Sequence, residues 1–307
     1  MLTRADLALL GVSAIWGTTF ALLRDSLHRI HPVELMAIRF SMAALLVAAI
    51  YWKRLVGTAG PVPAAAATPA ATPTPRAQWL RDGFWLGIWL ATGYLTQVIG
   101  LATITAARSA FITSTYILVV PILVIPIARA LPGLGDLVGI ALAFGGIILF
   151  SADAGFSLAP GDLWTLGCSL SFGIQIVLTN QVAKRSDPIA LSVTQMAVGA
   201  LAGWALVVAR GGFQTPAAQV PWAVMIYLAV VATAFVIVVQ TWALARTSPV
   251  KAALIFSTEP IFAALFAVAF FNEGMTTREV LGGALILVGV VTAELWKPAM
   301  ARLRGES

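Results

Sequence analysis

Few side chains in this sequence are equipped for covalent chemistry. The only histidines, His28 and His31, share one short loop, and Cys168 is the single cysteine. A Ser-His-Asp or Cys-His nucleophile needs its base alongside it, and a zinc site needs a set of nitrogen or sulfur ligands. Neither set can be assembled, so no enzyme, no metal site and no disulfide are expected. Gly133-Leu-Gly135-Asp-Leu-Val-Gly139 departs from the GxGxxG spacing and follows a helix rather than a strand, so it is not read as a nucleotide-binding turn.

The informative residues are polar or charged groups set inside long apolar runs. Glu259 is the one acidic residue near the middle of such a run, and Pro260 after it removes a helix hydrogen bond and frees the carbonyl of Phe256. The functional reading is a proton-coupling or cation-contacting carboxylate; the alternative is a protonated or arginine-paired side chain at a helix kink. Arg39 sits about 10 Å into its helix at 1.5 Å per residue, a coupling candidate or a structural partner for Glu34, Glu259 or exposed carbonyls. Arg108 and Lys251 open two further runs, where they could receive a substrate carboxylate or snorkel to the interface. Trp16, Phe172, Tyr116 and Glu259 fall near mid-run, Ser114 and Ser257 lie beside the last two, and Gln97, Gln175 and Gln240 add amides. Polar groups are costly in lipid and should face a bundle interior or a wet cavity. Plain interhelical hydrogen bonds average only about 0.6 kcal/mol. The aromatic-plus-amide group together is therefore read as the lining of a substrate cavity.

The elements that must hold these residues follow from composition. Of 307 residues, 60% are hydrophobic and 10% charged, against about 25% charged in soluble domains. At about 20 apolar residues per crossing, the charge-free runs predict ten membrane helices, near 6–25, 32–52, 82–104, 106–128, 134–151, 161–182, 188–209, 221–245, 249–270 and 277–296. No period-two barrel pattern is present. The first run contains Trp16 and ends at Arg24-Asp25 without a small-residue cleavage site, so it reads as a helix rather than a cleaved signal peptide.

The net charge is +6, from 19 Lys+Arg and 13 Asp+Glu. In a membrane chain this excess marks cytoplasmic loops and gives no reason to expect nucleic-acid binding. With the N-terminus inside, outer segments hold only Arg24, Arg29, Arg108, Arg210 and Arg278. Both termini are thus expected on the cytoplasmic side of a bacterial inner membrane. The Ala/Pro/Thr tract 57–75 has five prolines and nothing large to pack, and is read as a disordered cytoplasmic linker. A motif for a proline-recognising partner is the other reading.

The chain also repeats itself. A shift of 156 lays Gly11, Ser13, Gly17, Pro32 and Leu35 on Gly167, Ser169, Gly173, Pro188 and Leu191. A shift of 143 lays Arg108, Ala110, Ser114, Thr115, Gly139 and Gly146 on Lys251, Ala253, Ser257, Thr258, Gly282 and Gly289, and Gln97 on Gln240. The longer linker of the first copy accounts for the difference. Five helices per copy turn the second upside-down relative to the first, predicting two inverted repeats, 1–152 and 153–298, around a central cavity, with a tail at 299–307. Inverted repeats with a midplane site are typical of secondary transporters. The GxxxG spacings Gly83/Gly87, Gly135/Gly139 and Gly199/Gly203 predict close helix crossings.

Ala14-Ile-Trp-Gly-Thr-Thr-Phe20, Ile38-Arg-Phe40, Thr258-Glu-Pro-Ile-Phe-Ala-Ala-Leu265, Asn272-Glu-Gly274 and Leu281-Gly-Gly-Ala-Leu-Ile-Leu-Val-Gly-Val290 resemble the EamA-type transporters of the drug/metabolite transporter superfamily. The resemblance covers nearly the whole chain. It implies a ten-helix basket around a cavity that exports amino acids, metabolites or drugs. The first copy departs from the pattern: Ile127-Ala-Arg-Ala-Leu-Pro132 stands where the second has Phe270-Phe-Asn-Glu-Gly-Met275, so the acidic residue after the fourth helix is missing.

The function expected is an alternating-access exporter of an amino-acid-like or other small organic metabolite, without a cofactor and with proton coupling as an option. A multidrug or other metabolite carrier is the alternative, ahead of a lipid flippase, an intramembrane enzyme or a receptor. The expected partners are a small-molecule substrate and the lipid bilayer, and the sequence sets no oligomeric state.

Overall fold

A computed structural model describes residues 2–56, 75–129, 131–150, 159–271 and 276–303. These residues are helical, with no strand among them. The helices are α1 (Arg4–Ser26), α2 (Pro32–Ile50), α3 (Trp52–Val56), α4 (Arg76–Leu101), α5 (Ala106–Ser114), α6 (Tyr116–Ala128), α7 (Leu134–Phe150), α8 (Pro160–Ala183), α9 (Pro188–Ala209), α10 (Trp222–Ala229), α11 (Val236–Leu244), α12 (Pro249–Phe256), α13 (Glu259–Phe271) and α14 (Thr277–Leu303). The linker expected at 57–75 lies outside the described residues apart from Pro75, which precedes α4.

Helix starts follow from local capping. Thr3 and Asp6 exchange hydrogen bonds in a capping box on α1, with Thr3 N–H donating to the Asp6 carboxylate at 2.7 Å. Asp162 takes the Ala159 N–H at 2.6 Å at the start of α8. Pro32, Pro160, Pro188 and Pro249 occupy first-turn positions, where a missing N–H costs nothing. His31 caps α2 by accepting the Val33 N–H on Nδ1. Burial, then the positive charge of Arg210, pushes its imidazole below the usual value, which keeps that nitrogen free to accept.

Eight of the segments are long and apolar enough to cross a membrane, and Leu134–Leu149 and Val280–Trp296 are shorter apolar helices. Two expected helices, 106–128 and 249–270, are not continuous. Each breaks near its middle, α5 giving way to α6 at Thr115 and α12 to α13 at Ser257-Thr258. The expected helix 221–245 likewise contains a wider π turn, Val230–Phe235, between α10 and α11. A π turn forms where an extra residue is accommodated, and such turns often sit at functional sites. At its far end α14 continues to Leu303, beyond the expected limit of 296.

The dominant helix pairs are α7 with α14, α4 with α8 and α9, α2 with α9, α1 with α13, and α6 with α8. Glycines permit these approaches. A Cβ on Gly83 or Gly87 would strike Thr194 or Val198, one on Gly199 or Gly203 would strike Phe40 or Ala37, and one on Gly135 or Gly139 would strike Trp296 or the Gly289 carbonyl. All three GxxxG spacings are therefore at helix crossings. Side chains such as Leu45, Ile122, Leu201 and Val208 are more than half exposed on the outer surface, as expected for groups that face lipid.

Candidate functional site

The centre of the helix bundle holds a small cavity of about 20 Å³, room for little more than one water. It is lined by Trp16 and Thr19 of α1, Leu90, Tyr94 and Gln97 of α4, Tyr116 of α6, Phe172, Gln175 and Ile176 of α8, Gln240 of α11, Phe256 of α12 and Glu259 of α13. Of the residues singled out from the sequence, Trp16, Gln97, Tyr116, Phe172, Gln175, Gln240 and Glu259 come together here. Ser114 and Ser257 do not line it. Their hydroxyls donate back to Ala110 O at 2.9 Å and Leu254 O at 2.6 Å, next to the two helix breaks. Sequence reasoning missed Thr19, Leu90, Tyr94, Ile176 and Phe256. Thr19 and Tyr94 lie three residues from Trp16 and Gln97, on the same helix faces, and that spacing could have found them.

Aromatic contacts make the walls. Trp16 and Phe256 stand 5.4 Å apart, and the Tyr94 ring meets Phe172 edge-on at 5.3 Å. Glu259 is buried, and its carboxylate receives the Tyr116 hydroxyl at 3.3 Å. Positions 116 and 259 are related by the 143-residue shift, so two counterparts touch each other at the cavity.

Arg39 is fully enclosed behind this wall. Its guanidinium lies 4.6 Å from the centre of the Tyr94 ring, and it donates to Thr233 Oγ1 at 2.5 Å and to Ala232 O at 3.1 Å. The same carbonyl accepts the Trp16 indole N–H at 3.3 Å. Both acceptors belong to the π turn, so the irregular backbone supplies the partner that the sequence left open among Glu34, Glu259 and exposed carbonyls. Glu34 is engaged elsewhere, with Arg210 at 2.9 Å and the Gln214 N–H at 2.7 Å.

Three buried polar atoms near the cavity have no partner among the described residues: Gln240 Oε1, Gln195 Nε2 and Arg39 Nη1. Gln240 lines the cavity, Gln195 accepts from the cavity-lining Gln175 at 2.9 Å, and Arg39 backs Tyr94. A buried group left without a hydrogen bond costs about 1–3 kcal/mol, so the Gln240 oxygen in the cavity wall favours a polar occupant there.

Arg108 and Lys251 are held in ion pairs. Arg108 grips Asp162 with two hydrogen bonds of 2.7 Å, and Lys251 contacts Asp6 at 2.7 Å and Glu294 at 2.6 Å. Neither reaches the cavity. Closer in, Ser169 bonds Thr115 and Ser13 bonds Thr258, each at 2.9 Å. The Phe256 carbonyl ahead of Pro260 accepts from Ser13 at 3.5 Å.

Comparison with known proteins gives a consistent result. The EamA-like transporter family matches residues 3–152 and 159–293. An uncharacterized transporter of Archaeoglobus fulgidus is 30% identical over 295 residues, covering 95% of this chain and 86% of its own length. A second uncharacterized transporter of that organism is 25% identical over 304 residues, 94% of this chain and 97% of its own. A solved crystal structure aligns with a TM-score of 0.73 over 96% of this chain and 98% of its own at 16% identity, a likeness of fold. Membrane-crossing helices around a polar, aromatic cavity and a family match along nearly its whole length lead to one conclusion: the chain belongs to the EamA-like transporter family.

Proposed function

We propose that the protein is a secondary transporter with ten membrane helices in two inverted repeats, exporting an amino-acid-like or other small organic metabolite by alternating access. The observation that carries this reading is the central cavity. It draws walls from both halves of the chain and is lined by the buried Glu259 carboxylate and by Gln240, whose side-chain oxygen has no partner among the described residues. A solute with an amine would bond Glu259 and Gln240, and the aromatic walls would hold its apolar part. The cavity is too small for such a solute as it stands, so loading requires the helices around it to separate.

The contact pattern supports the inverted repeats. Asp6 with Lys251 matches Asp162 with Arg108, and Ser13 with Thr258 matches Ser169 with Thr115. Gly17 packs on Phe262 as Gly173 packs on Val119. Every partner in one contact lies 156 or 143 residues from its counterpart in the other. Two family matches in tandem agree with the same division.

Purified protein in proteoliposomes should exchange internal for external labelled solute once a ligand is found by the rise in thermal stability that binding produces. Failure of every stabilising ligand to undergo exchange would sink the transport reading for that ligand set. Orientation has its own check. With Cys168 replaced by Ala, a cysteine at Lys184 should react with an impermeant maleimide only from the cytoplasm, and one at Arg29 only from outside; the reverse pattern would invert the proposed topology.

A further inference from the structure

We infer that the Arg108–Asp162 and Lys251–Asp6 ion pairs are the two gate latches of the transport path, one at each end of the central cavity. The inference rests on the transport reading and adds to it the residues that keep each end shut.

Helix α8 measures their separation. Asp162, in its first turn, holds Arg108. Near its other end Asn180 donates to Leu244 O at 2.6 Å and Thr247 O at 2.7 Å, and the Thr247 hydroxyl donates to Asp6 at 3.1 Å. From 162 to 180 is about 27 Å at 1.5 Å per residue. The α8 residues that line the cavity, Phe172, Gln175 and Ile176, lie between those ends. The cavity therefore sits between two ion pairs at opposite ends of the bundle.

Each pair ties together helices that must part for its end to open. Arg108 is on α5, continuous through the Thr115 break with the cavity helix α6, and Asp162 is on α8. Lys251 is on α12, continuous through the Ser257-Thr258 break with α13, which carries Glu259; Asp6 is on α1, which carries Trp16. The broken helices give each latch a joint between the end of the bundle and its centre. The breaks are themselves held by Thr115–Ser169 and Thr258–Ser13. The aspartates are buried while the cations are partly exposed, with side-chain exposures of 2% for Asp162 and 16% for Arg108, and 1% for Asp6 and 24% for Lys251. Charge neutralisation at a buried carboxylate makes each pair costly to break by halves. In this conformation both pairs are formed. Lys251 has a second carboxylate, Glu294 of α14.

The test uses the full-length protein with Cys168 replaced by Ala and Thr19 replaced by Cys as a reporter in the cavity wall. An impermeant thiol reagent is applied to sealed vesicles of each orientation. Asp162→Asn keeps an oxygen for the Ala159 N–H but removes the charge, and should raise labelling about tenfold from the Arg108 end alone. Asp6→Asn should do so from the opposite face alone. Arg108→Lys and Lys251→Arg, each installing the cation of the other end, should retain slow labelling. Arg108→Gln and Lys251→Gln repeat the test from the cation side should an aspartate variant fold poorly. Equal acceleration from both faces, acceleration from the wrong face, or labelling unchanged in all variants would overturn the latches. Counterflow by the wild type is measured alongside. Face-specific labelling without counterflow upholds the latches and removes the transport reading; counterflow with indifferent labelling does the opposite.

Discussion

Glu259→Gln should abolish the response of transport to a pH gradient while leaving solute exchange in place. The substitution preserves volume and keeps an oxygen that can accept the Tyr116 hydroxyl, so the packing around α13 should survive. It removes charge and titration alone. If Glu259 couples a proton to the solute, the stimulation of transport by the gradient should disappear. Counterflow, which needs no net proton movement, should change little. The comparison is made in the same proteoliposomes, with and without an imposed pH difference. Unchanged behaviour in both assays would return Glu259 to a structural role at the α12–α13 break. Loss of both, in protein that still folds, would make the carboxylate a contact for the solute rather than for a coupling proton.

Replacing Gly17 should lower stability clearly. A Cβ there would lie 2.7 Å from Phe262 Cβ, 2.8 Å from Ala263 N and 3.0 Å from Glu259 O. Two of these are backbone atoms, so no rotamer change relieves the clash and α1 must move away from α13. Overpacking of this kind costs about 1–3 kcal/mol, and Gly17→Leu, with a whole side chain to place, should exceed that and depress the yield of folded protein. Gly11 is the control on the same helix. Nothing lies within 4 Å of its added Cβ, and Gly11→Ala should be neutral or stabilising by up to about 1 kcal/mol through helix propensity. Thermal unfolding of the two purified variants decides the matter; equal melting temperatures would show that the α1–α13 contact does not limit stability.

The contrast between these two glycines also shows how much was legible in the sequence. Both align with glycines of the second half, yet only Gly17 is at a crossing, because identity at a repeat position does not say which face of a helix meets a neighbour. Depth and repeat position together did pick out Trp16, Tyr116, Gln97, Gln240 and Glu259, since polar groups in an apolar run have few places to go other than the centre. Serine escaped this logic. Ser114 and Ser257 can satisfy their hydroxyls on their own helices, so their depth carried little information about the cavity.

The partner of Arg39 was the least legible. Val230-Val-Ala-Thr-Ala-Phe235 reads as ordinary apolar helix, and its π turn and the arginine and indole that reach its Ala232 carbonyl from other helices appear only in the structure. The breaks in α5–α6 and α12–α13 were hidden for a similar reason. Pro260 hinted at the second, but the first contains no proline or glycine at Thr115, and its hydroxyl contact with Ser169 comes from the other half of the chain. The ion pairs were missed from the carboxylate side: nothing in the sequence singled out Asp6 or Asp162, and their double use, as first-turn acceptors and as partners of Lys251 and Arg108, appears only in three dimensions.

The interlocking of Asp6, Ser13, Gly17, Arg39, Arg108 and Thr115 with residues beyond 160 bears on how the protein is made. Synthesis proceeds from the N-terminus, so the first helices enter the bilayer before any of these partners has been translated. Arg39 waits for Thr233, and Asp6 for Lys251. The nascent first half consequently carries unneutralised charges and open glycine grooves that only later helices close. Completion of these contacts therefore has to wait for the second half of the chain. An unfinished chain truncated before Lys251 lacks the counter-charge for Asp6.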